Sequence, residues 1–204
     1  MTKKRIMTII GTRPEAIKLC PMVLELQKRS DEFESIVCST GQHREMLAQV
    51  FATFDVSPDH DLQLMAPNQS LAQVTARAVN GLDEIFSKVR PDVCLVQGDT
   101  TTAFCGGLVG HYHKTTIGHV EAGLRTGNKF SPFPEEMNRR LVGRLADLHF
   151  APTSQSQQAL LDEGTDPDTV FVTGNTVIDA LLLVKDKLRS DIELRERIHV
   201  CDCC

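Results

Sequence analysis

Three acidic side chains stand where a carboxylate has chemistry open to it. Asp99 lies in Gly98-Asp99-Thr100-Thr101-Thr102, a carboxylate and three hydroxyls directly after an apolar run. One Asp or Thr suffices to cap a helix, so the excess points to a ligand. Glu121 lies in His119-Val120-Glu121-Ala122-Gly123-Leu124-Arg125-Thr126. A glutamate in an otherwise apolar strand is costly to bury without a task or a partner, and Arg125 is the partner at hand. Glu135 opens a helix in Ser131-Pro132-Phe133-Pro134-Glu135-Glu136-Met137-Asn138-Arg139-Arg140. Its alternatives are a helix-dipole partner or a surface pair with Arg139 four residues on. On the residues alone, each acid stands open to catalysis or ligand contact and to the structural role named beside it.

Cations and polar turns accompany the acids. In Gly11-Thr12-Arg13-Pro14-Glu15-Ala16-Ile17-Lys18, a helix N-terminus beside a glycine is a ready anion site, and Arg13 adds a bidentate donor. Lys18 falls about 140° around the helix from Arg13, so it need not face the same ligand. Capping plus surface charge is the alternative. The segment is neither a Walker loop nor a GxGxxG fingerprint, so ATP or NAD is not implied. Thr40-Gly41-Gln42-His43-Arg44-Glu45 opens a helix with polar groups, which a solvated helix start explains equally well. Thr173-Gly174-Asn175-Thr176 suits a tight turn or a ligand edge.

The elements that must position these groups follow from pattern. Residues 5–10, 35–39, 92–97, 115–120, 148–151 and 170–173 read as strands without clear alternation, as expected for strands buried on both faces. Between them, 14–30, 43–54, 71–89, 102–112, 134–146 and 154–163 suit amphipathic helices, and a last helix runs from 177 towards 189. A short strand is expected at 61–64 within the polar connection 57–70. Strands alternating with helices predict an α/β fold with a parallel sheet and helices on both faces. Thr12 and Glu15 fit a capping box with Pro14 in the first turn, and Thr176 with Asp179 resembles the same device. Doubly wound sheets bind ligands at the carboxyl ends of their strands, where the candidate residues stand. Arg13, Asp99, Glu121 and Glu135 are therefore expected to converge.

At 204 residues the chain is one large domain or two small ones. It carries 22 Lys and Arg against 27 Asp and Glu, a formal charge of −5, which argues against non-specific nucleic-acid binding. No Trp and a single Tyr112 leave few rings for stacking bases. No apolar run approaches the ~18 residues of a membrane span, and the basic opening leads into a strand-like stretch rather than a signal peptide. The expectation is a cytoplasmic protein. Cys20, Cys38, Cys94 and Cys105 sit in apolar surroundings and read as small buried hydrophobes. Cys201, Cys203 and Cys204 crowd the end beside His199, and are read as an incidental terminus rather than a soft-metal site.

Taken together and in order, the segments quoted above, with Gln42-His43-Arg44-Glu45-Met46-Leu47, Pro134-Glu135-Glu136-Met137-Asn138-Arg139 and Thr173-Gly174-Asn175-Thr176-Val177-Ile178-Asp179, are far more specific than any one alone. The chain closely resembles the amino-terminal half of the non-hydrolysing bacterial UDP-N-acetylglucosamine 2-epimerases, from about residue 5 to about residue 190. The resemblance implies a Rossmann-like domain, one half of a glycosyltransferase-B-type enzyme whose site lies between two domains. It implies a cytoplasmic homodimer that needs no nicotinamide and no essential metal, with a product that feeds surface polysaccharides.

The implied reaction interconverts UDP-N-acetylglucosamine and UDP-N-acetylmannosamine. UDP leaves C1 as C2 loses its proton, giving 2-acetamidoglucal. UDP then adds back as C2 is protonated on the other face. The resemblance implies catalytic roles for Asp99, Glu121 and Glu135, a place near the diphosphate for Arg13 and Lys18, and substrate contact for Arg139. Gln42 and His43 match a segment tied in some members to an additional, allosteric nucleotide-sugar site. The family continues into a second domain that supplies a Gly-His-Arg motif with a functional histidine and most uridine contacts. Residues 1–190 therefore read as the amino-terminal domain and 191–204 as a divergent tail. The expectation is a truncated gene, a frameshift or an isolated fragment. The alternative function is an inactive half-enzyme acting as a nucleotide-sugar binding or assembly module.

Overall fold

The computed structural model describes residues 2–41, 44–66 and 68–190. Gln42, His43 and the tail 191–204 lie outside them. The described residues run β1 (Lys4–Ile10), α1 (Arg13–Lys28), β2 (Phe33–Ser39), α2 (Arg44–Phe54), β3 (His60–Asp61), α3 (Leu71–Val89), β4 (Val93–Gln97), α4 (Thr101–Tyr112), β5 (Thr116–Val120), α5 (Glu135–Leu145), β6 (Leu148–Ala151), α6 (Ser154–Asp162), β7 (Val170–Val172) and α7 (Val177–Ser190). A 3-10 turn, Pro167–Thr169, precedes β7.

All strand pairs are parallel, in the order β3-β2-β1-β4-β5-β6-β7. This is the doubly wound Rossmann-like order with one strand added, and its switch point falls between β1 and β4. The expected parallel sheet is thus present, and β1 is buried along most of its length. One face carries α3, α4 and α5, packed on Met7, Ile9, Cys94, Val96 and Ile117. The other carries α1, α2 and part of α7, packed on Ile10, Val37 and Val120. Phe86 on α3 is fully buried, and truncating such a ring costs about 3–5 kcal/mol. Cys20, Cys38, Cys94 and Cys105 are free and buried. Burial pushes the Cys20, Cys38 and Cys105 thiols up to about 12, far from nucleophilic.

Two expectations need correction. The short strand lies at His60–Asp61 rather than 61–64, because Gln63 takes a left-handed φ of 46° and carries the chain off the sheet. The cap of α7 is also different. Asn175, not Thr176 with Asp179, accepts from the Val177 N–H at 3.1 Å. The box at α1 is as expected: Thr12 accepts from the Glu15 N–H, and Glu15 reaches back to the Thr12 N–H.

Candidate active site at the switch point

The turns that follow β1, β4 and β5 line one open cavity of about 520 Å³. Arg13, Lys18, Gln97, Asp99 and Glu121 all face it, with Thr12, Glu15 and Thr100 at its floor. Ligands bind doubly wound sheets at this crevice. Gly11 allows the β1 turn to sit this close. A Cβ there would lie 2.2 Å from the Thr102 hydroxyl and 2.6 Å from that of Thr40.

Glu121 is the best-held of the three candidate acids. The strand alternation stops at Val120, because Glu121 itself has φ 63° and turns its side chain to the cavity. His119, two residues earlier on β5, is by contrast fully buried. Lys18 Nζ approaches Glu121 Oε2 at 2.5 Å, and Gln97 Nε2 donates to the same oxygen. Asn175 Nδ2 donates to Oε1 at 3.1 Å. The proposed partner Arg125 is elsewhere, in a bidentate pair with Glu163 at 2.9 Å. The guanidinium holds the Glu163 carboxyl below its usual range against the opposing push of burial.

Asp99 follows Gly98, whose φ is 69°. Its side chain is 28% exposed against 12% for Glu121, so its carboxylate is the more open to a ligand. Arg139 of α5 donates to Asp99 Oδ2, and Asn138 Nδ2 donates to the Asp99 backbone carbonyl at 2.9 Å. Arg139 also lies 3.4 Å from Glu136. Its guanidinium is therefore turned to the protein's own acids.

Of the paired acids at the start of α5, Glu136 rather than Glu135 is engaged. Glu136 is fully buried and accepts from the Thr126 N–H and from Arg140, each at 3.0 Å. Burial raises its pKa, but the Thr126 and Arg140 hydrogen bonds outweigh it and the net shift is down. Glu135 is half-buried, makes no ion pair among the described residues, and does not line the cavity. The expected convergence thus holds for Arg13, Asp99 and Glu121 and not for Glu135.

Lys18 and Arg13 share one cavity, although their separation of about 140° around α1 does not require it. The long stem of Lys18 reaches Glu121, 103 residues away in sequence, while Arg13 stands exposed at the rim. The backbone anion site at α1 is filled from within. Glu15 Oε2 accepts from the Gly11 and Thr12 N–H groups at 2.8 and 2.6 Å, and Oε1 accepts from Thr100 Oγ1 at 2.5 Å. Arg13, which makes no ion pair among the described residues, is left as the rim's anion binder. Among the described residues there is no cluster of three His, Cys, Asp or Glu arranged to hold a metal, and no helix is long and apolar enough to cross a membrane. Gln97, Asn138, Glu136 and Asn175 enter the site without having been picked as site residues. The one local signal was Gln97, a polar side chain closing an apolar strand.

Fold and site together define an α/β protein of the doubly wound kind with an acid-lined crevice at the switch point. Over residues 25–201 the sequence matches the family described as UDP-N-acetylglucosamine 2-epimerase, and the chain belongs to that family. It is 56% identical to the UDP-N-acetylglucosamine 2-epimerase of Bacillus subtilis, over 89% of this chain and 47% of the relative. The crystal structure of UDP-GlcNAc 2-epimerase from Neisseria meningitidis bound to UDP-GlcNAc superposes with a TM-score of 0.90 at 49% identity, covering 95% of this chain and 52% of that one. The Methanocaldococcus jannaschii enzyme in complex with UDP-GlcNAc and UDP gives 0.88 at 32% identity, over 96% of this chain and 53% of that one. The chain spans about half the length of the relatives it matches.

Proposed function

We propose that this chain is the amino-terminal half of a non-hydrolysing UDP-N-acetylglucosamine 2-epimerase, an isomerase acting on UDP-N-acetylglucosamine and UDP-N-acetylmannosamine. The observation that carries the reading is the meeting of Asp99, Glu121 and Arg13 on one cavity at the switch point of a chain that belongs to the epimerase family. The C2 hydrogen is weakly acidic, so a base must be positioned as the UDP–C1 bond breaks. Asp99, the more open acid, serves as the candidate base, with Glu121 held on the same cavity by Lys18, Gln97 and Asn175. Arg13 meets the leaving diphosphate through its fork of N–H donors. Glu135 serves from the α5 terminus once the sugar is bound, and Gln42 and His43 belong to nucleotide-sugar contact. No step requires a cofactor.

Domain, assembly and location form part of the same reading: residues 1–190 as the domain, a cytoplasmic homodimer, and a product used in surface polysaccharide synthesis. Leu71, Tyr112, Met137 and Leu141 expose apolar surface on the α3–α4–α5 layer, which supports self-association there. Val177, Ile178, Leu181 and Leu182 of α7 expose a further apolar strip, which supports docking of a second domain.

The test is deuterium incorporation at C2 from heavy water. The chain alone should bind UDP-N-acetylglucosamine weakly and exchange nothing, because transition-state groups must surround the sugar from several sides. Mixed with the matching carboxyl-terminal half of an epimerase, it should exchange. Absence of exchange in a folded, docked pair would leave the chain as a binding module only.

A further inference from the structure

His119 is a fully buried titratable side chain that the proposed chemistry leaves unused. It does not line the cavity, yet its Nε2 lies 2.8 Å from the carbonyl oxygen of Gly98, the residue before Asp99. A carbonyl only accepts, so Nε2 carries the proton and donates. Nδ1 is buried without a partner, as is Nδ1 of His149 on the neighbouring strand, its register partner. An unsatisfied buried acceptor costs about 1–3 kcal/mol, and an apolar side chain would fill the space without that cost. What the imidazole adds is the Nε2–H bond.

That bond acts on a particular peptide. The Gly98–Asp99 peptide is held at the Gly98 carbonyl by His119, and the Asp99–Thr100 peptide at the Asp99 carbonyl by Asn138 at 2.9 Å. The Gly98 N–H is held in turn by the Val120 carbonyl at 2.9 Å. The two peptide planes flanking the Asp99 Cα are thus fixed from β5 and from α5. With both planes fixed, the Cα–Cβ direction of Asp99 is set, and Arg139 then holds the carboxylate in one of the rotamers open to it. Gly98 at φ 69° has little intrinsic preference for that conformation, so the clamp must come from outside the turn.

We propose that His119 is a positioning residue for Asp99, a neutral imidazole with its proton on Nε2 that fixes the Gly98–Asp99 peptide and through it the direction of the Asp99 carboxylate. The proposal rests on the epimerase reading for its kinetic consequence and on geometry alone for the clamp. Burial supports the neutral form, pushing the imidazole down to about 4, with His149, Arg125 and Arg139 adding to the shift against the Gly98 hydrogen bond. The groups around it are mostly cationic, so a second proton on Nδ1 would face repulsion and find no acceptor.

Two substitutions separate a clamp from a filler. His119→Met fills the space and removes the donor. His119→Gln places an amide N–H near the former Nε2. In the chain paired with a carboxyl-terminal half, His119→Met is expected to lower kcat for C2 exchange about 10- to 100-fold with KM within about twofold, as misplacing a reacting group does. His119→Gln should recover most of that loss, and His119→Met should add little on top of Asp99→Asn. Unchanged kcat in a folded His119→Met protein, or equal losses in both variants, overturns the proposal. A second arm needs no turnover. Nitrogen-15 NMR of the wild-type chain at neutral pH should show the His119 proton on Nε2 and none on Nδ1, and a crystal structure of His119→Met should show the Gly98 carbonyl turned away. The opposite tautomer, an imidazolium, or an unmoved carbonyl overturns the clamp. If the wild-type pair shows no exchange, the epimerase reading fails while this second arm still decides the role of His119.

Discussion

Glu15 and Glu121 border the same cavity and are held in opposite ways. Glu15 accepts only from neutral donors, two backbone N–H groups and the Thr100 hydroxyl. Burial raises its pKa, and those hydrogen bonds offset the rise in part. Glu121 meets the ammonium of Lys18 as well as two amides. One glutamate closes its own helix terminus and ties the β1 turn to the β4 turn. The other is aimed by charge into open space. The difference teaches that proximity to the crevice does not assign a role. The kind of donor, and whether oxygen surface remains for a ligand, does.

The largest effect should come from the aimed acids. Glu121→Gln or Asp99→Asn, in the chain paired with a carboxyl-terminal half, should reduce C2 deuterium exchange by about 10²–10⁴-fold, the usual worth of a general acid or base. Neither should lower the urea midpoint much, since the amide keeps shape and some hydrogen bonds. Near-normal exchange in either variant would remove that residue from proton transfer and erase the contrast with Glu15.

Glu15→Ala should do the reverse. It empties a buried position, strips the capping box and leaves the Gly11 and Thr12 N–H groups without acceptors, a loss of about 2–3 kcal/mol read by urea denaturation. For a chain of this size that is roughly a 4–12 °C drop in Tm. Asn175→Ala should fall below it, at about 1–2 kcal/mol, because Asn175 both caps α7 and holds Glu121 Oε1. Its exchange rate should fall as well. A stability loss with unaltered exchange would make Asn175 a cap alone.

The same pair of glutamates shows what could be read from sequence. The Thr12–Glu15 box joins residues three apart, and the local pattern sufficed to find it. The alternation of strands and helices was legible for the same reason, since each element declares itself within a dozen residues. The partners of Glu121 come from 103, 24 and 54 residues away, brought together by the sheet order β1-β4-β5 and the return of the chain after β7. No spacing rule reports such contacts. Reading Arg125 as the partner of Glu121 favoured a sequence neighbour over the spatial ones. The family resemblance supplied Asp99, Glu121 and Glu135 as a set, of which Asp99 and Glu121 line the cavity. The clamp around Asp99 emerged only from the fold.

The smallest effect concerns pH, and it sets Glu15 against His119. The imidazole of His119 falls from 6.5 to about 4 on folding, through burial first. Between those values the unfolded chain binds more protons than the folded one. The contribution of His119 to stability is therefore complete above about pH 6.5 and is lost as pH falls towards 4. From pH 7 to pH 5.5 this amounts to about 1 kcal/mol. His149, also lowered by burial, acts in the same direction. Glu15 opposes them: its carboxyl is raised above 4.5, so the folded state holds the extra proton, and stability falls as pH rises from 4.5 through its folded value. Urea denaturation at pH 7 and pH 5.5 should thus show a modest net loss on acidification for the wild-type chain. His119→Gln should shrink that loss, and Glu15→Gln should enlarge it by removing the opposing slope. If both substitutions move the slope the same way, the two buried groups do not carry the opposite proton affinities that their surroundings impose.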